Sequence, residues 1–325
     1  MKKNYFCIAL CALLFAICDS AQAQQPTKIP RIGFLPGSGE PSTPGPHVEA
    51  FRQELRDLGY VDGKNILVEY RYIQGKSDRV PSLVAELVQL KVDALVLVTP
   101  PSIRAAKQAT KTIPIIMVTT QDPVAAGIVD SLARPGGNIT GLTRLTVELS
   151  GKRLELFKEI VPGMSRVGVL WPQGSFGFRE YEPAARALKI QLHSLQVQRQ
   201  NPDIEGAFRD ATKERVNGLI TVTNSLLNPY TKRIADLAIK NRLPSMYETS
   251  YYVEAGGLVS YSANDESMFR RAAVFVDKIL KGTKPADLPV EQPMKFEFVI
   301  NLKTAKQIGL TIPQWTLMKA DKVIR

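Results

Sequence analysis

Short apolar runs alternate with amphipathic segments along the first part of the chain. The runs at residues 31–35, 93–98 and 113–118 are continuous and apolar, which is typical of strands that are buried between two layers of helices. The segments between them, such as 47–58 and 78–90, place apolar residues three or four positions apart, as amphipathic helices do. Repeated strand and helix units of this length predict a doubly wound parallel sheet.

The same alternation begins again in the second half of the chain. Predicted strands at 167–171, 191–197, 218–223 and 243–247 are separated by helical segments. Two such sheets in one chain predict an α/β protein with two doubly wound parallel-sheet lobes. Because ligands bind at the carboxyl ends of the strands in such sheets, we expect a binding cleft between the lobes.

A change of pattern after the strand at 113–118 marks the predicted crossing from the first lobe to the second. The polar residues 119–122 follow that strand, and Pro123 stands where a helix has its first residue. The predicted helix at 123–132 ends before a Pro-Gly-Gly sequence, and an extended run at 138–142 follows. We therefore predict that 119–122 lies at the mouth of the cleft and that 138–142 forms one strand of the hinge.

The last quarter of the chain breaks the repeat and predicts two further crossings. Extended runs at 257–264 and 295–301 flank an amphipathic helix at 266–280, so the chain returns to the first lobe and then leaves it again. This arrangement gives a three-segment hinge. The predicted division is a signal peptide at 1–23, an N-terminal lobe of 24–141 plus about 264–293, and a C-terminal lobe of 142–263 plus about 294–325.

The first residues have the composition of a cleavable signal peptide. Lys2 and Lys3 precede an apolar run at 5–17, and Ala21-Gln22-Ala23 provides small residues at a cleavage site. We therefore expect export to the periplasm and a mature chain that begins near Gln24.

All three cysteines, Cys7, Cys11 and Cys18, lie in the segment that is removed, so no thiol chemistry is expected in the mature protein. A lipid anchor on Cys18 is the alternative, but bulky Ile17 precedes it where a small residue is needed. No later apolar run approaches the roughly 20 residues of a membrane helix, so stable membrane insertion is not expected.

The chain is basic, with a formal net charge of +11. The basic residues are spread over many predicted helices without a dense cluster or interleaved aromatic residues, so nucleic acid is not an expected partner. A solvated basic surface accounts for this charge, and attraction to anionic lipid headgroups is the alternative.

Enzyme signatures are mostly absent. Gly37-Ser38-Gly39 lacks the spacing of a nucleophile elbow, and 59–64 is one residue short of a phosphate loop and follows a helix rather than a strand. His47 and His193 are the only histidines, and without a mature cysteine no transition-metal site is predicted. The sequence predicts a binding protein without a cofactor, and catalysis by a lone His or Asp base stays open as an alternative.

Polar residues are concentrated in the loops that follow the predicted strands. Hydroxyls and free N–H groups ahead of helices suit a carboxylate or another anion, whereas capping of the next helix is the alternative role for Ser102, Thr120 and Asp122. The candidate ligand-binding residues in these loops are Gly37, Ser38, Thr99, Pro100, Ser102, Thr119, Thr120, Asp122, Asn224 and Ser225.

Four of the ten tyrosines lie between residues 247 and 264. Aromatic side chains bind flat rings by stacking, which contributes about 0.5–1.5 kcal/mol per pair. Tyr247 and Tyr261, with Asn264 at the end of the segment, complete the candidate site. Packing between segments is the alternative role, above all for Tyr251 and Tyr252.

Three motifs resemble one known family. DPVAAGIVDSLARPGGNITGLT at 122–143, GGLVSYSAN at 256–264 and FEFVINLKTAKQIGLTIP at 296–313 are similar to the ABC-transporter solute-binding proteins related to the tryptophan- and tyrosine-binding type. The resemblance implies a type I periplasmic-binding-protein fold. It also implies that the protein captures a small solute and delivers it to a membrane permease with its ATPase subunit.

The expected function is therefore capture of an amino-acid-like solute, with aromatic amino acids among the candidates, in the cleft between the lobes. We expect the protein to act as a monomer. A receptor that reports to a membrane sensor would have the same sequence features, and a periplasmic enzyme is the weaker alternative.

Overall fold

The computed structural model describes residues 28–325 except 38, 75, 145–148, 176 and 225. The predicted signal peptide lies outside the described residues. The described chain forms two β-sheets, each covered by helices on both faces. None of the helices formed by these residues is long and apolar enough to cross a membrane.

The first sheet contains five parallel strands in the order β2-β1-β3-β4-β5. The strands are β1 (Arg31–Leu35), β2 (Leu67–Tyr70), β3 (Ala94–Leu97), β4 (Ile115–Thr119) and β5 (Ile139–Thr143). The helices are α1 (Pro46–Asp57), α2 (Val80–Gln89) and α3 (Pro100–Ala109). Every residue of β3, β4 and β5 is buried, as expected for strands covered on both faces.

The second sheet contains seven strands in the order β12-β11-β10-β9-β8-β6-β7. The strands are β6 (Arg166–Pro172), β7 (Gln191–Val197), β8 (Gly218–Thr221), β9 (Ser245–Tyr247), β10 (Val259–Ala263), β11 (Phe296–Asn301) and β12 (Lys322–Ile324). The prediction of two α/β lobes with parallel sheets is confirmed. The exception is the antiparallel pair β10–β11, because the chain has returned to the first lobe and re-enters the second sheet from the opposite direction.

Helices cover both faces of the second sheet, and one further helix belongs to the first lobe. The helices are α4 (Ser150–Ile160), α5 (Gly177–Glu180), α6 (Glu182–Ala187), α7 (Ile204–Lys213), α8 (Thr231–Lys240), α9 (Ser250–Glu254), α10 (Asp265–Leu280), α11 (Leu302–Gln307) and α12 (Gln314–Leu317). Short 3₁₀ helices occur at Ser77–Arg79, Asn228–Tyr230 and Pro285–Asp287.

Alternation along β3 shows how the first lobe divides its core. Ala94 and Val96 face a cluster that contains α1 and α10, whereas Leu95 and Leu97 face a cluster with α2 and α3. Phe269 of α10 is buried in the first of these clusters, so α10 is part of the first lobe although β10 and β11 on either side of it belong to the second sheet.

The helix predicted at 123–132 does not form. Asp122 accepts hydrogen bonds from the N–H groups of Val124 and Ala125, and a single turn follows in which Ile128 N–H donates to the Pro123 carbonyl. Gly127 then adopts a φ of 62°, which ends the turn because a right-handed helix needs a negative φ. A sequence of turns and bends therefore connects β4 to β5.

Three segments cross between the lobes, and two of them leave the first lobe from backbones that are paired with each other. Glu291 N–H donates to the Gly141 carbonyl at 2.9 Å, and Thr143 N–H donates to the Glu291 carbonyl at 3.0 Å. The Arg271 guanidinium of α10 holds the Glu291 carboxylate with two hydrogen bonds of 2.6 Å. These contacts link β5, the segment before β11 and α10.

Candidate functional site

A cavity of about 50 Å³ lies between the lobes, at the carboxyl ends of strands from both sheets. At roughly 10–15 Å³ per water, this space holds about three to five water molecules. The described residues that line the cavity are Pro36, Gly37, Pro44, His47, Val48, Val98, Arg144, Thr223, Asn228, Tyr251, Asp265 and Phe269.

One wall of the cavity carries two opposite charges side by side. Arg144 Nε lies 2.8 Å from Asp265 Oδ1, and their side chains are only 12% and 11% exposed. Arg144 directly follows β5, and Asp265 is the first residue of α10, so the pair joins two of the crossing segments. A carboxylate at that position is favoured by the positive end of the helix dipole.

Next to this ion pair, three rings form an aromatic wall. His47 stacks on Phe269 with ring centroids 4.9 Å apart and planes at 15°, and it meets Tyr251 edge-on at 6.4 Å. Burial lowers the pKa of His47, and Arg144 lowers it further, while Asp265 opposes both effects. The imidazole is therefore neutral at pH 7 and offers a flat face. His47 belongs to α1 and Tyr251 to α9, so this contact spans the two lobes.

Behind the opposite wall lies a buried carboxylate, Glu248, which is 3% exposed. Its Oε2 accepts a hydrogen bond from Thr223 N–H at 2.7 Å, and its Oε1 accepts one from the Tyr181 hydroxyl at 2.8 Å. Arg153 Nη1 lies 3.5 Å from Oε1, and Arg153 Nε donates to the Tyr261 carbonyl at 2.8 Å. A buried ion pair is tolerated when hydrogen bonds of this kind satisfy its remaining atoms.

Glu180, at the end of α5, is a second carboxyl near this network. Burial and, to a smaller extent, the charge of Glu248 raise its pKa to about 7, while Arg153 acts in the opposite direction. Two carboxyl groups thus share the field of one guanidinium. Because Glu180 is only half-buried, it gains or loses its proton near neutral pH without being sealed from solvent.

We expect Glu180→Gln to gain stability relative to the wild-type protein as the pH rises from 4.5, the pKa of Glu180 in the unfolded chain, to about 7, its pKa in the folded protein. The folded wild-type protein binds this proton more tightly than the unfolded chain, whose pKa is 4.5. The stabilisation is therefore complete below pH 4.5 and is lost as the pH rises through about 7. Urea midpoints of both proteins at about pH 5 and about pH 8 measure this change. An equal difference at both pH values would contradict it.

Of the described first-lobe residues that the sequence predicts to bind ligand, Gly37 alone lines the cavity. Thr99 and Ser102 form a capping box at the start of α3, which includes Pro100 in its first turn. Thr119 is buried, and its hydroxyl accepts a hydrogen bond from Gln121 N–H at 3.1 Å. Thr120 is half-buried beside it, Asp122 caps the turn described above, and Ser38 lies outside the described residues.

The second-lobe candidates occupy loop, core and cap positions. Asn224 Oδ1 accepts a hydrogen bond from Leu226 N–H, and Asn264 Oδ1 caps α10 by accepting from Ser267 N–H at 2.8 Å. Tyr247 is fully buried and stacks on Tyr252 at 4.8 Å, while Tyr261 stacks on Phe296 at 5.9 Å. Ser225 lies outside the described residues. None of the other four lines the cavity.

Sequence reasoning missed most of the residues that line the cavity. Arg144 and Asp265 each lie just after a strand from which the chain crosses to the other lobe. This position in the sequence could have identified both as residues of the cleft. His47 is preceded by a loop rich in Gly and Pro and begins an amphipathic helix, which gave no sign that its ring faces the cleft. Among the described residues, no group of three or more His, Cys, Asp or Glu side chains is placed to hold a metal ion.

Comparisons with known proteins agree with this architecture. A tyrosine-binding protein of Clostridioides difficile (strain R20291) is 30% identical over 275 residues, which are 81% of this chain and 76% of that protein. A conserved domain protein of Vibrio cholerae superposes with a TM-score of 0.82 and 26% identity, over 91% of this chain and 100% of that chain. An ABC domain of Streptococcus pneumoniae in complex with L-Trp superposes with a TM-score of 0.79 and 25% identity, over 90% and 100%.

The fold is that of the type I periplasmic binding proteins, as the sequence predicts. The sequence model of the ABC transporter substrate binding proteins matches residues 45–324. The prediction of a binding protein rather than an enzyme is confirmed by this match, and the chain belongs to the family of ABC transporter substrate-binding proteins.

Proposed function

We propose that this protein captures a zwitterionic amino acid with a flat side chain in the cleft between its lobes and delivers it to an ABC permease and its ATPase subunit. The observation that carries the proposal is the Arg144–Asp265 ion pair beside the stacked rings of His47 and Phe269. The pair offers one cation and one anion, and the rings offer an apolar face.

The charge arrangement favours a solute that carries both signs. A guanidinium binds a carboxylate through two parallel hydrogen bonds, and an aspartate accepts hydrogen bonds from an ammonium group. When a zwitterion enters between Arg144 and Asp265, each charged side chain exchanges its present partner for one of the ligand's groups. No buried charge is then left unpaired, which would be strongly unfavourable in so enclosed a site.

The rings favour a flat side chain on that solute. His47 presents an uncharged face beside Phe269, and Tyr251 closes the cavity from the second lobe. Offset stacking on such faces contributes about 0.5–1.5 kcal/mol beyond the buried area. The names of two relatives support this class of solute, since one is a tyrosine-binding protein and the other was crystallised with L-Trp.

Transport follows from lobe closure. The contact between His47 and Tyr251 joins the lobes across the cleft, so ligand that binds one lobe gains contacts from the other only when the lobes are closed. Ligand binding therefore shifts the population toward the closed form, whose outline the permease distinguishes from the open form. We place this cycle in the periplasm, after removal of a signal peptide, and with a monomeric binding protein.

A thermal-shift screen tests the proposal, and we expect L-Tyr or L-Trp to raise the melting temperature. A ligand at 100 times its Kd adds about 2.7 kcal/mol to the stability of the folded state, or roughly 4 °C for a chain of about 300 residues. The matched controls are the same ring compounds without the ammonium or without the carboxylate group, which should give much smaller shifts. Equal shifts from all three compounds, or no shift with any amino acid, would refute the proposed ligand class.

A further inference from the structure

We propose that Glu248 is a positioning residue for the cleft, which sets the orientation of Thr223 and connects that cleft wall to the hinge strand β10. This inference rests on the proposed function only for its ligand-binding consequence. Glu248 is not among the described residues that line the cavity, whereas Thr223 is one of them. Glu248 therefore acts on the cavity through Thr223.

The first step of the argument is the place of Thr223. It lies two residues after β8 ends, at the carboxyl edge of the second sheet, and it faces the cavity. Its hydroxyl oxygen is buried and has no hydrogen-bond partner among the described residues. Buried hydroxyls in folded proteins nearly always have a partner, so this oxygen is available to a polar group of a bound solute.

The second step is how Thr223 is held. Its backbone N–H donates to Glu248 Oε2 at 2.7 Å, which is the length of a charge-assisted hydrogen bond. Glu248 comes directly after β9, so this hydrogen bond ties the loop after β8 to the end of β9. The Glu248 carboxylate therefore fixes the peptide plane at Thr223, from which the Thr223 side chain projects.

The third step links this loop to the hinge. Arg153 of α4 contacts the other Glu248 oxygen and donates to the carbonyl of Tyr261, which is two residues before the end of β10. β10 leads directly into the crossing that carries Asp265. Through one carboxylate and one guanidinium, the position of Thr223 is thus coupled to the strand that leads into a crossing between the lobes.

A carboxylate is required at this position because three donors converge on it. Thr223 N–H, the Tyr181 hydroxyl and the Arg153 guanidinium all face Glu248, and both of its oxygens accept. A glutamine has a single acceptor oxygen, so its NH₂ group would face one of these donors. Glu248→Gln therefore removes the charge and one acceptor, whereas Tyr181→Phe removes one donor and keeps the ion pair.

Amide hydrogen exchange and calorimetric titration with L-Tyr and L-Trp test the inference. For Glu248→Gln we expect the Thr223 amide to exchange at least about tenfold faster relative to that of Leu219 in β8, and the affinity to fall at least about tenfold. For Tyr181→Phe, which keeps the ion pair, we expect a smaller change of the same sign in both quantities. Tyr181→Phe also decides the question if Glu248→Gln does not fold.

The matched control is Asp277→Asn. Asp277 is also a buried carboxylate that accepts from a tyrosine hydroxyl, that of Tyr60 at 3.0 Å, and pairs with Lys281. It lies on α10 about 18 Å from Asp265 along the helix axis. Asp277→Asn should lower the melting temperature while leaving both the affinity and the relative Thr223 exchange rate unchanged.

The two measurements separate this inference from the proposed function. Wild-type affinity in a Glu248 or Tyr181 variant, or an unchanged Thr223 exchange rate, would overturn the positioning role. If the wild-type protein binds neither amino acid, the proposed function fails, and the exchange rates alone then decide whether Glu248 holds Thr223.

Discussion

Asp265→Asn is expected to weaken the binding of L-Tyr or L-Trp by about 10- to 150-fold, which corresponds to roughly 1.5–3 kcal/mol for a hydrogen bond to a charged group. In the proposed complex, the Asp265 carboxylate accepts the ligand's ammonium hydrogens in a wall where it is 11% exposed. An asparagine has nearly the same shape but lacks the charge and one acceptor oxygen, so the loss reports the charge-assisted hydrogen bond. Calorimetric titration of the variant against the wild-type protein measures it.

The ligand series provides the internal control. 3-(4-Hydroxyphenyl)propionate lacks the ammonium group, and its weak affinity should not fall further in Asp265→Asn. Arg144→Gln should show the converse selectivity, with a large loss for the amino acid and little change for tyramine. Glu266→Gln removes the same charge from the next residue of α10, where the side chain is 64% exposed, and should leave the affinity unchanged. Equal losses for Asp265→Asn and Glu266→Gln would refute a direct contact between Asp265 and the ligand.

Gly141→Ala is expected to lower the free energy of unfolding by more than about 3 kcal/mol, or the melting temperature by roughly 5 °C or more. Gly141 has a φ of 133°, which L side chains rarely adopt. A Cβ there would overlap the carbonyl oxygen of Met117 and lie 2.5 Å from its nitrogen. Because both atoms belong to the backbone of the neighbouring strand β4, β4 and β5 would have to separate.

Gly163→Ala is the matched control for this prediction. A Cβ at Gly163 meets no atom within 4 Å, and its φ is not positive. Its urea midpoint should therefore stay close to that of the wild-type protein. A midpoint for Gly141→Ala that matches the control would show that the crossing strand is free to shift. The same strand carries Arg144 at its end, so Gly141→Ala should also weaken ligand binding.

Periodicity predicted the alternation of strands and helices because each element buries a face whose spacing is visible in the sequence. β7 was predicted at its observed bounds, and α10 within one residue of them. The prediction of a helix at 123–132 was wrong. Pro123 is a favourable first residue and the apolar spacing fits a helix, but Gly127 has a positive φ that ends the turn. The antiparallel direction of β11 was not predicted, since it depends on where the chain re-enters the sheet and not on the residues of the strand.

The site was harder to predict than the fold. Loop positions at the carboxyl ends of strands follow from topology, and Gly37 illustrates this. The direction of a side chain does not follow from topology. Thr99 and Ser102 use their hydroxyls on each other and on the α3 backbone, and the ring of Tyr247 turns toward the core of its lobe. Arg144 and His47 face the cavity because of tertiary packing, which leaves no local pattern.

The backbone pairing between Gly141, Thr143 and Glu291 has a mechanical consequence. β5 and the segment that leads to β11 are joined side by side in the first lobe, and the Arg271 side chain fastens them to α10. Two crossings therefore start from one rigid base, and their starting points cannot slide past each other without breaking these bonds. Rotation of the second lobe about this base keeps the bonds intact, so the pairing favours rotation over shear.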